Sequence, residues 1–282
     1  VVTHGARYVR IATHRYEIDG SDAEHYARLW STLRSQSPRD VRVVHLWGLD
    51  TASLEPLETL LHLSRVVAAS GCTTPTLWCV TRGATGVEQA DGIAVEQAPL
   101  WGFGRTMALE HPELWGGLID LAQDDDGIDL RPVINEIVTA GPEDQIALRG
   151  PSRYAARLER REDHAHPALA LRADAIYLVT GGVGALGLHV SRWLVTRGAR
   201  HLVLASRRGG ADPQARSATQ TLEALGATVT VVAADVSSAE GVNALMTAID
   251  ALGRPLRGVV HAAGIDVPTP VRDLSVEGLR AV

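Results

Sequence analysis

Between residues 174 and 262, apolar runs and amphipathic stretches alternate with a regular period. Ile176-Tyr177-Leu178-Val179 is an unbroken apolar run and predicts a buried strand at 175–180. Residues 185–197 then place Leu186, Val190, Trp193 and Leu194 on one face, the spacing of a half-buried helix, with Gly198 as its C-cap. His201–Ala205 is the next strand, and a helix at 213–225 ends at Gly226. Thr228–Ala234 is the third strand, a helix at 239–251 ends near Gly253, and Arg257–Ala262 is the fourth strand. Strands alternating with helices of this length predict a parallel sheet with right-handed crossovers.

The first half has a looser version of the same rhythm. Two short extended runs fall within Tyr8–Ile18, and a helix over 22–35 has Ser21 or Asp22 to cap it. Strands are expected at 41–49, 75–81, 117–121 and 145–149, with helices at 56–69, 99–109 and 129–140. This half has the layers of a nucleotide fold, but its strand Val43–Trp47 is followed by one glycine, Gly48, where a phosphate loop needs several. It reads as a scaffold. The expected fold class is therefore α/β, with two Rossmann-like, doubly wound parallel-sheet subdomains, the second incomplete at its C-terminus. Residues 1–160 form the structural subdomain, 161–173 a connector and 174–282 the nucleotide-binding subdomain.

Composition narrows the function. A net charge of −6 argues against a general nucleic-acid binder, and no stretch approaches the length of a membrane helix. No N-terminal signal pattern is present, and the expected location is the cytoplasm. The two cysteines, Cys72 and Cys79, have no metal or redox spacing and read as core thiols. The connector holds Asp163, His164 and His166, but no further ligand stands at a useful spacing, so a solvated linker is expected and no metal site. All 27 basic residues are arginine, so chemistry that requires a lysine cannot be completed by these residues.

The candidate chemistry starts at Thr180-Gly181-Gly182-Val183-Gly184-Ala185-Leu186-Gly187, a strand end, a glycine turn and a helix start. Gly182 permits a tight turn, Gly184 lets backbone approach a pyrophosphate, and Gly187 lets the helix pack close to the strand. The helix N-terminus offers unpaired N–H groups and the positive end of its dipole to the anion. After the second strand, where NAD-binding units place a carboxylate, stand Ser206-Arg207-Arg208. A carboxylate repels a 2′-phosphate, whereas a guanidinium pairs with it, so NADPH is favoured over NADH. Asp235-Val236 closes the third strand, where the carboxylate can accept from an adenine amino group and the valine can cover the ring. The alternative for Asp235 is a cap on the next helix, for which Ser237 and Ser238 stand nearer. His261-Ala262-Ala263-Gly264 ends the fourth strand with small residues against which a ribose and nicotinamide can lie.

Taken in order, TGG-x-G-x-LG, SRRG, DV and HAAG resemble a short-chain dehydrogenase/reductase and, more closely, the ketoreductase domain of modular polyketide synthases. The first half is similar to the structural subdomain of those ketoreductases in Trp101–Thr106, Glu110-His111-Pro112 and Gly117–Leu121. One departure is Ala185, where the wider superfamily has glycine; these ketoreductases often carry alanine. The resemblance implies NADPH-dependent reduction of a β-keto group carried on an acyl carrier protein, beside neighbouring synthase domains. It also implies a catalytic serine, a tyrosine in a YxxxN or YxxxK segment and a lysine. The tyrosines here, Tyr8, Tyr16, Tyr26, Tyr154 and Tyr177, all precede HAAG, and there is no lysine. No catalytic residue is therefore assigned; all are expected beyond Val282, and these residues alone are expected to be inactive. An LDD motif, which follows HAAG in B-type members, is replaced by Ile265-Asp266-Val267, implying non-B stereochemistry. Two alternatives stand beside this reading: a reductively silent scaffolding domain and a free-standing short-chain reductase.

Overall fold

The computed structural model describes residues 1–36, 41–50, 55–71, 76–87, 92–123, 130–139, 141–160, 169–265 and 267–281. The chain opens with strands β1 (Val2–His4), β2 (Val9–Ala12) and β3 (Arg15–Ile18), arranged in the order β1-β3-β2. Helix α1 (Ala23–Gln36) follows; Oδ1 of Asp22 accepts the Glu24 N–H at 2.9 Å, which caps it. Tyr26, Leu29 and Trp30 form its buried stripe, and Tyr26 and Leu29 pack on Tyr16 and Ile18 of β3.

Next come β4 (Arg42–His45), α2 (Glu55–Ala69), β5 (Thr76–Arg82), α3 (Ala98–Glu110), β6 (Trp115–Leu121), α4 (Leu130–Thr139), β7 (Gln145–Arg149) and β8 (Ser152–Ala155). The sheet order is β4-β5-β6-β7-β8, parallel except for β8, which turns back through Gly150 at φ 53°. Side chains of β5 alternate between the two faces. Leu77 and Cys79 join Leu60 and Leu61 of α2 and Leu100 and Met107 of α3, while Trp78 and Val80 join Val133 and Ile137 of α4. The strand expected over 41–49 stops at His45, because Trp47–Leu49 closes into a single 3-10 turn.

The second sheet is built from β9 (Ile176–Thr180), α5 (Ala185–Thr196), β10 (His201–Ser206), α6 (Ala215–Glu223), β11 (Thr228–Ala233), α7 (Ala239–Asp250) and β12 (Leu256–His261). Its order is β11-β10-β9-β12, all parallel. Tyr177 and Val179 pack with α5 and α6, while Ile176 and Leu178 pack with Leu245 and Ile249 of α7. The buried stripe of α5 differs from the expected one. Gly187, Ser191, Leu194 and Val195 face inward, whereas Leu186 and Trp193 are exposed. Small residues at Gly187 and Ser191 bring the helix close to the strand, and the Ser191 hydroxyl is satisfied by the Gly187 carbonyl at 2.8 Å.

The described residues fall into two compact units. The first comprises Val1–Arg160 and Val267–Ala281, and the second the stretch between them. The last helix, α8 (Val276–Ala281), thus belongs to the first unit, although the sequence places it after the fourth strand of the second. Cys72, Asp163, His164, His166 and Asp266 lie outside the described residues.

Candidate functional site: a nucleotide cradle

In the second unit the chain runs outward through β9, β10 and β11, then returns to the other side of β9 as β12. That reversal opens a crevice at the carboxyl ends of β9 and β12, where ligands bind in open α/β sheets. The first unit has no such reversal among its described strands, since β4, β5, β6 and β7 stand side by side in sequence order.

The glycine turn sits at the reversal. Its left-handed residue is Gly181, at φ 65°, rather than Gly182. A Cβ on Gly181 would stand 2.6 Å from the Ala262 carbonyl oxygen, and one on Gly182 would stand 2.8 Å from that of Val179. A side chain at Gly187 would be driven into the Gly181 carbonyl oxygen. These three positions are closed by the protein itself. Gly184 differs: an added Cβ would meet only the Gly181 oxygen, at 3.3 Å. Gly184 is also the N-cap residue of α5 and no side chain caps it, so the first N–H groups of the helix have no side-chain acceptor. Val183 is buried behind the turn. This is the shape a pyrophosphate fits: backbone donors with room where a side chain would stand.

Thr180 ties the turn to the end of β12. Its hydroxyl accepts the Ala263 N–H at 3.2 Å and lies 2.8 Å from Nδ1 of His261. Its carbonyl accepts the Ala262 N–H at 3.2 Å. Ala262, Ala263 and Gly264 are thereby held beside the glycine turn, and a Cβ on Gly264 would meet nothing within 4 Å.

At the end of β10, Ser206 Oγ accepts the Gly209 N–H at 3.0 Å and orders the turn that carries the arginines. Arg208 is spent within that turn on Asp212, at 2.9 Å. Arg207 is exposed and makes no ion pair among the described residues. Asp235 Oδ1 accepts from the Ser237 hydroxyl at 2.7 Å and from its N–H at 3.1 Å. These bonds hold its carboxyl below the usual range, and the charge of Arg207 adds a smaller share. The cap of α7 is Ser238, which accepts the Gly241 N–H at 3.0 Å, so Asp235 is not the capping residue. Val236 lines the same edge, packed against the α7 core. Ser206, Arg207, Asp235 and Val236 therefore gather at the ends of neighbouring strands.

The corresponding place in the first unit is filled. A Cβ on Gly48 would stand 2.9 Å from Leu100, and Trp47–Leu49 closes the turn. Beyond it, fully buried Asp120 is satisfied by Thr81 Oγ1 at 2.6 Å, Ala84 N–H at 2.8 Å and Arg149 at 2.8 Å. The oxygens of this buried carboxylate thus already accept bonds from the protein's own groups. From the sequence, Thr180 stands only as the start of the glycine motif and the Asp120 network is not identified; a polar residue at the end of an apolar strand is the available signal for both. Among the described residues no group of His, Cys, Asp and Glu could hold a metal ion, and no helix is long and apolar enough to cross a membrane.

Comparison with known proteins agrees with both units. Residues 5–158 match the Rossmann fold domain of the polyketide synthase extender module SpnB, and residues 175–282 match the KR domain. Polyketide synthase GfsA of Streptomyces halstedii is 38% identical over 293 residues, covering 99% of this chain and 4% of that protein. Pikromycin polyketide synthase component PikAIII of Streptomyces venezuelae is 44% identical over 190 residues, covering 67% of this chain and 12% of its own length. The first ketoreductase of the tylosin PKS superposes with a TM-score of 0.80 at 33% identity, covering 95% of this chain and 57% of that one. The chain thus spans a small part of these synthases and just over half of a solved ketoreductase. With a reversed sheet carrying a glycine turn, a filled companion sheet and these matches, the chain belongs to the ketoreductase domains of modular polyketide synthases.

Proposed function

We propose that this chain is the NADPH-holding part of a β-ketoacyl reductase domain. The observation that carries the reading is the pairing of the least crowded glycine at the start of α5, Gly184, which no side chain caps, with a guanidinium, Arg207, that makes no ion pair among the described residues. Gly182, Val183, Gly184, Ala185, Leu186 and Gly187 would cradle the pyrophosphate. Ser206 and Arg207 would take the 2′-phosphate, Asp235 and Val236 the adenine, and Ala262, Ala263 and Gly264 the nicotinamide ribose. Bound NADPH supplies a hydride to a ketone carbon. The work of this chain's own residues is to bind and orient the cofactor. No tyrosine–lysine pair exists among them, so proton delivery falls to further residues of the synthase and these residues alone are inactive.

The substrate in this reading is a β-ketoacyl thioester on an acyl carrier protein, reduced in the cytoplasm beside neighbouring synthase domains. Absence of an LDD motif after Gly264 supports a non-B stereochemical outcome. Residues 1–160 serve as the structural subdomain. A silent scaffolding role is disfavoured because such domains lose cofactor residues, and every cradle position is present here. The test uses the parent polypeptide with NADPH and a β-ketoacyl N-acetylcysteamine thioester. The expected result is NADPH consumption with formation of the hydroxyacyl thioester in one stereochemical series; a parent that neither binds nor consumes NADPH overturns the proposal.

A further inference from the structure

Gly209, two residues after Arg207, is buried in the turn that follows β10 and has φ 52°. A left-handed φ suits glycine in any turn, and Gly71, Gly150, Gly226 and Gly253 show it with nothing within 4 Å of an added Cβ. Gly209 differs from these. A Cβ there would stand 2.7 Å from the Cβ and the backbone nitrogen of Ala233, and 2.8 Å from its Cα. Turn geometry accounts for the φ but not for this approach. The turn is pressed against the last residue of β11.

The rest of the turn is tied around that contact. The Ser206 carbonyl accepts the Ala234 N–H at 3.0 Å, Ser206 Oγ accepts the Gly209 N–H at 3.0 Å, and the Gly209 carbonyl accepts the Asp212 N–H at 3.1 Å. Two residues beyond Ala233, the backbone of Asp235 is held by the start of α7. Its carbonyl accepts the Ser238 N–H at 3.2 Å, and a Cβ on Gly241 would be driven into that same oxygen. Beside the Ser237 hydrogen bonds that mainly hold the Asp235 carboxyl low, the Arg207 charge lowers it further, so the two groups sit within electrostatic reach.

With Asp235 fixed by α7 and the Ser206–Asp212 turn seated on Ala233, the spacing between Arg207 and Asp235 depends on how closely Gly209 approaches β11. A guanidinium–phosphate pair is directional and tolerates little displacement. We propose that Gly209 is a positioning residue for cofactor selection: its seat on Ala233 sets the reach of Arg207 to the 2′-phosphate of a nucleotide whose adenine lies at Asp235. This rests on the cofactor reading above. A shift of the turn alters the phosphate contact alone, so NADPH loses affinity and NADH, which lacks that phosphate, does not. Loss of general stability weakens both alike.

The experiment titrates the full chain and three variants with NADPH and with NADH, and follows urea unfolding in parallel. Gly209→Ala is expected to reduce the preference for NADPH from at least about tenfold to about twofold, with NADH within about twofold of its starting affinity. Ala233→Val enlarges the same contact from an exposed strand position that suits a β-branched residue, and is expected to reduce the preference at least about threefold. It carries the test should Gly209→Ala not fold. Gly226→Ala places a left-handed alanine in the same unit with open space around it, and is expected to lose stability while keeping the preference. An unchanged preference in either folded variant at the contact, equal weakening of NADPH and NADH, or the same loss of preference in Gly226→Ala overturns the inference. If the unaltered chain shows no preference for NADPH, the cofactor reading itself falls and this inference with it.

Discussion

Thr180 Oγ1 lies 2.8 Å from His261 Nδ1 and accepts the Ala263 N–H at 3.2 Å, so one buried hydroxyl joins two parallel strand ends at the mouth of the cradle. Because the amide fills an acceptor position, the hydroxyl proton is free to point at the imidazole nitrogen. Thr180→Val keeps the shape and removes both bonds, leaving the Ala263 N–H unpaired. The expected loss is about 1–3 kcal/mol in urea unfolding of the second unit, accompanied by weaker NADPH binding. Unchanged stability and affinity would show that the hydroxyl does not organise this end of the sheet.

The glycines of the turn separate folding from binding. Gly187→Ala drives a methyl group into the Gly181 carbonyl oxygen, so the turn or the helix must move. It should lower thermal stability measurably and abolish cofactor binding. At Gly184 an added methyl meets only the Gly181 carbonyl oxygen, at 3.3 Å, which must give by a few tenths of an ångström, and the backbone is extended there, so Gly184→Ala should fold with a smaller loss of stability than Gly187→Ala. It should still weaken NADPH at least about tenfold, because the methyl stands where the pyrophosphate would approach. Calorimetry and fluorescence titration of the two variants check this; normal NADPH binding by Gly184→Ala would place the ligand elsewhere.

Adjacent arginines should behave differently. Arg208 is 67% exposed and paired with Asp212, so Arg208→Ala should change stability by no more than about 1 kcal/mol and leave 2′,5′-ADP binding near its starting value. Arg207 has its charge to spare, and Arg207→Ala should weaken 2′,5′-ADP about tenfold or more. Reversed effects in the two variants would exchange their roles.

The first unit should weaken in mild acid. His45 is fully buried with Nε2 2.8 Å from Thr59 Oγ1, which itself donates to the Pro56 carbonyl at 2.8 Å, so the ring is a neutral Nε2–H donor. Burial pushes its pKa down to about 4. A depressed histidine pKa contributes stability above the unfolded value near 6.5 and loses it as pH falls toward 4, here roughly 3 kcal/mol in total. His62, buried with neither ring nitrogen bonded, is shifted the same way, chiefly by desolvation. Urea midpoints of the first unit should therefore fall between pH 6.5 and 4, and His45→Gln should flatten that slope. A midpoint independent of pH over this range would contradict the assignment.

Local patterning carried most of the fold. Each strand and helix expected between 175 and 262 lies within a few residues of its observed bounds, because period, glycine caps and length all agreed there. What escaped was non-local. β1 is three residues long and has no period to read, and β8 exists because Gly150 turns the chain back onto β7. The return of Val267–Ala281 to the first unit is set by the Val271 pocket and Glu110, neither of which is visible in the segment itself. At the site, residue types indicated the cradle, but only coordinates separate Gly181 from Gly182 as the turn residue, or Arg207 from Arg208 as the spare charge. Those distinctions depend on φ angles and on which partner each guanidinium has already found.

The central claim is that this chain holds NADPH through an open glycine and a spare arginine. Fluorescence titration of the 282-residue chain with NADPH and with NADH tests it most directly. Saturable NADPH binding at least about tenfold tighter than NADH is predicted, since the 2′-phosphate adds one charge-assisted contact. Equal affinity for the two cofactors, or no binding of either, would contradict it.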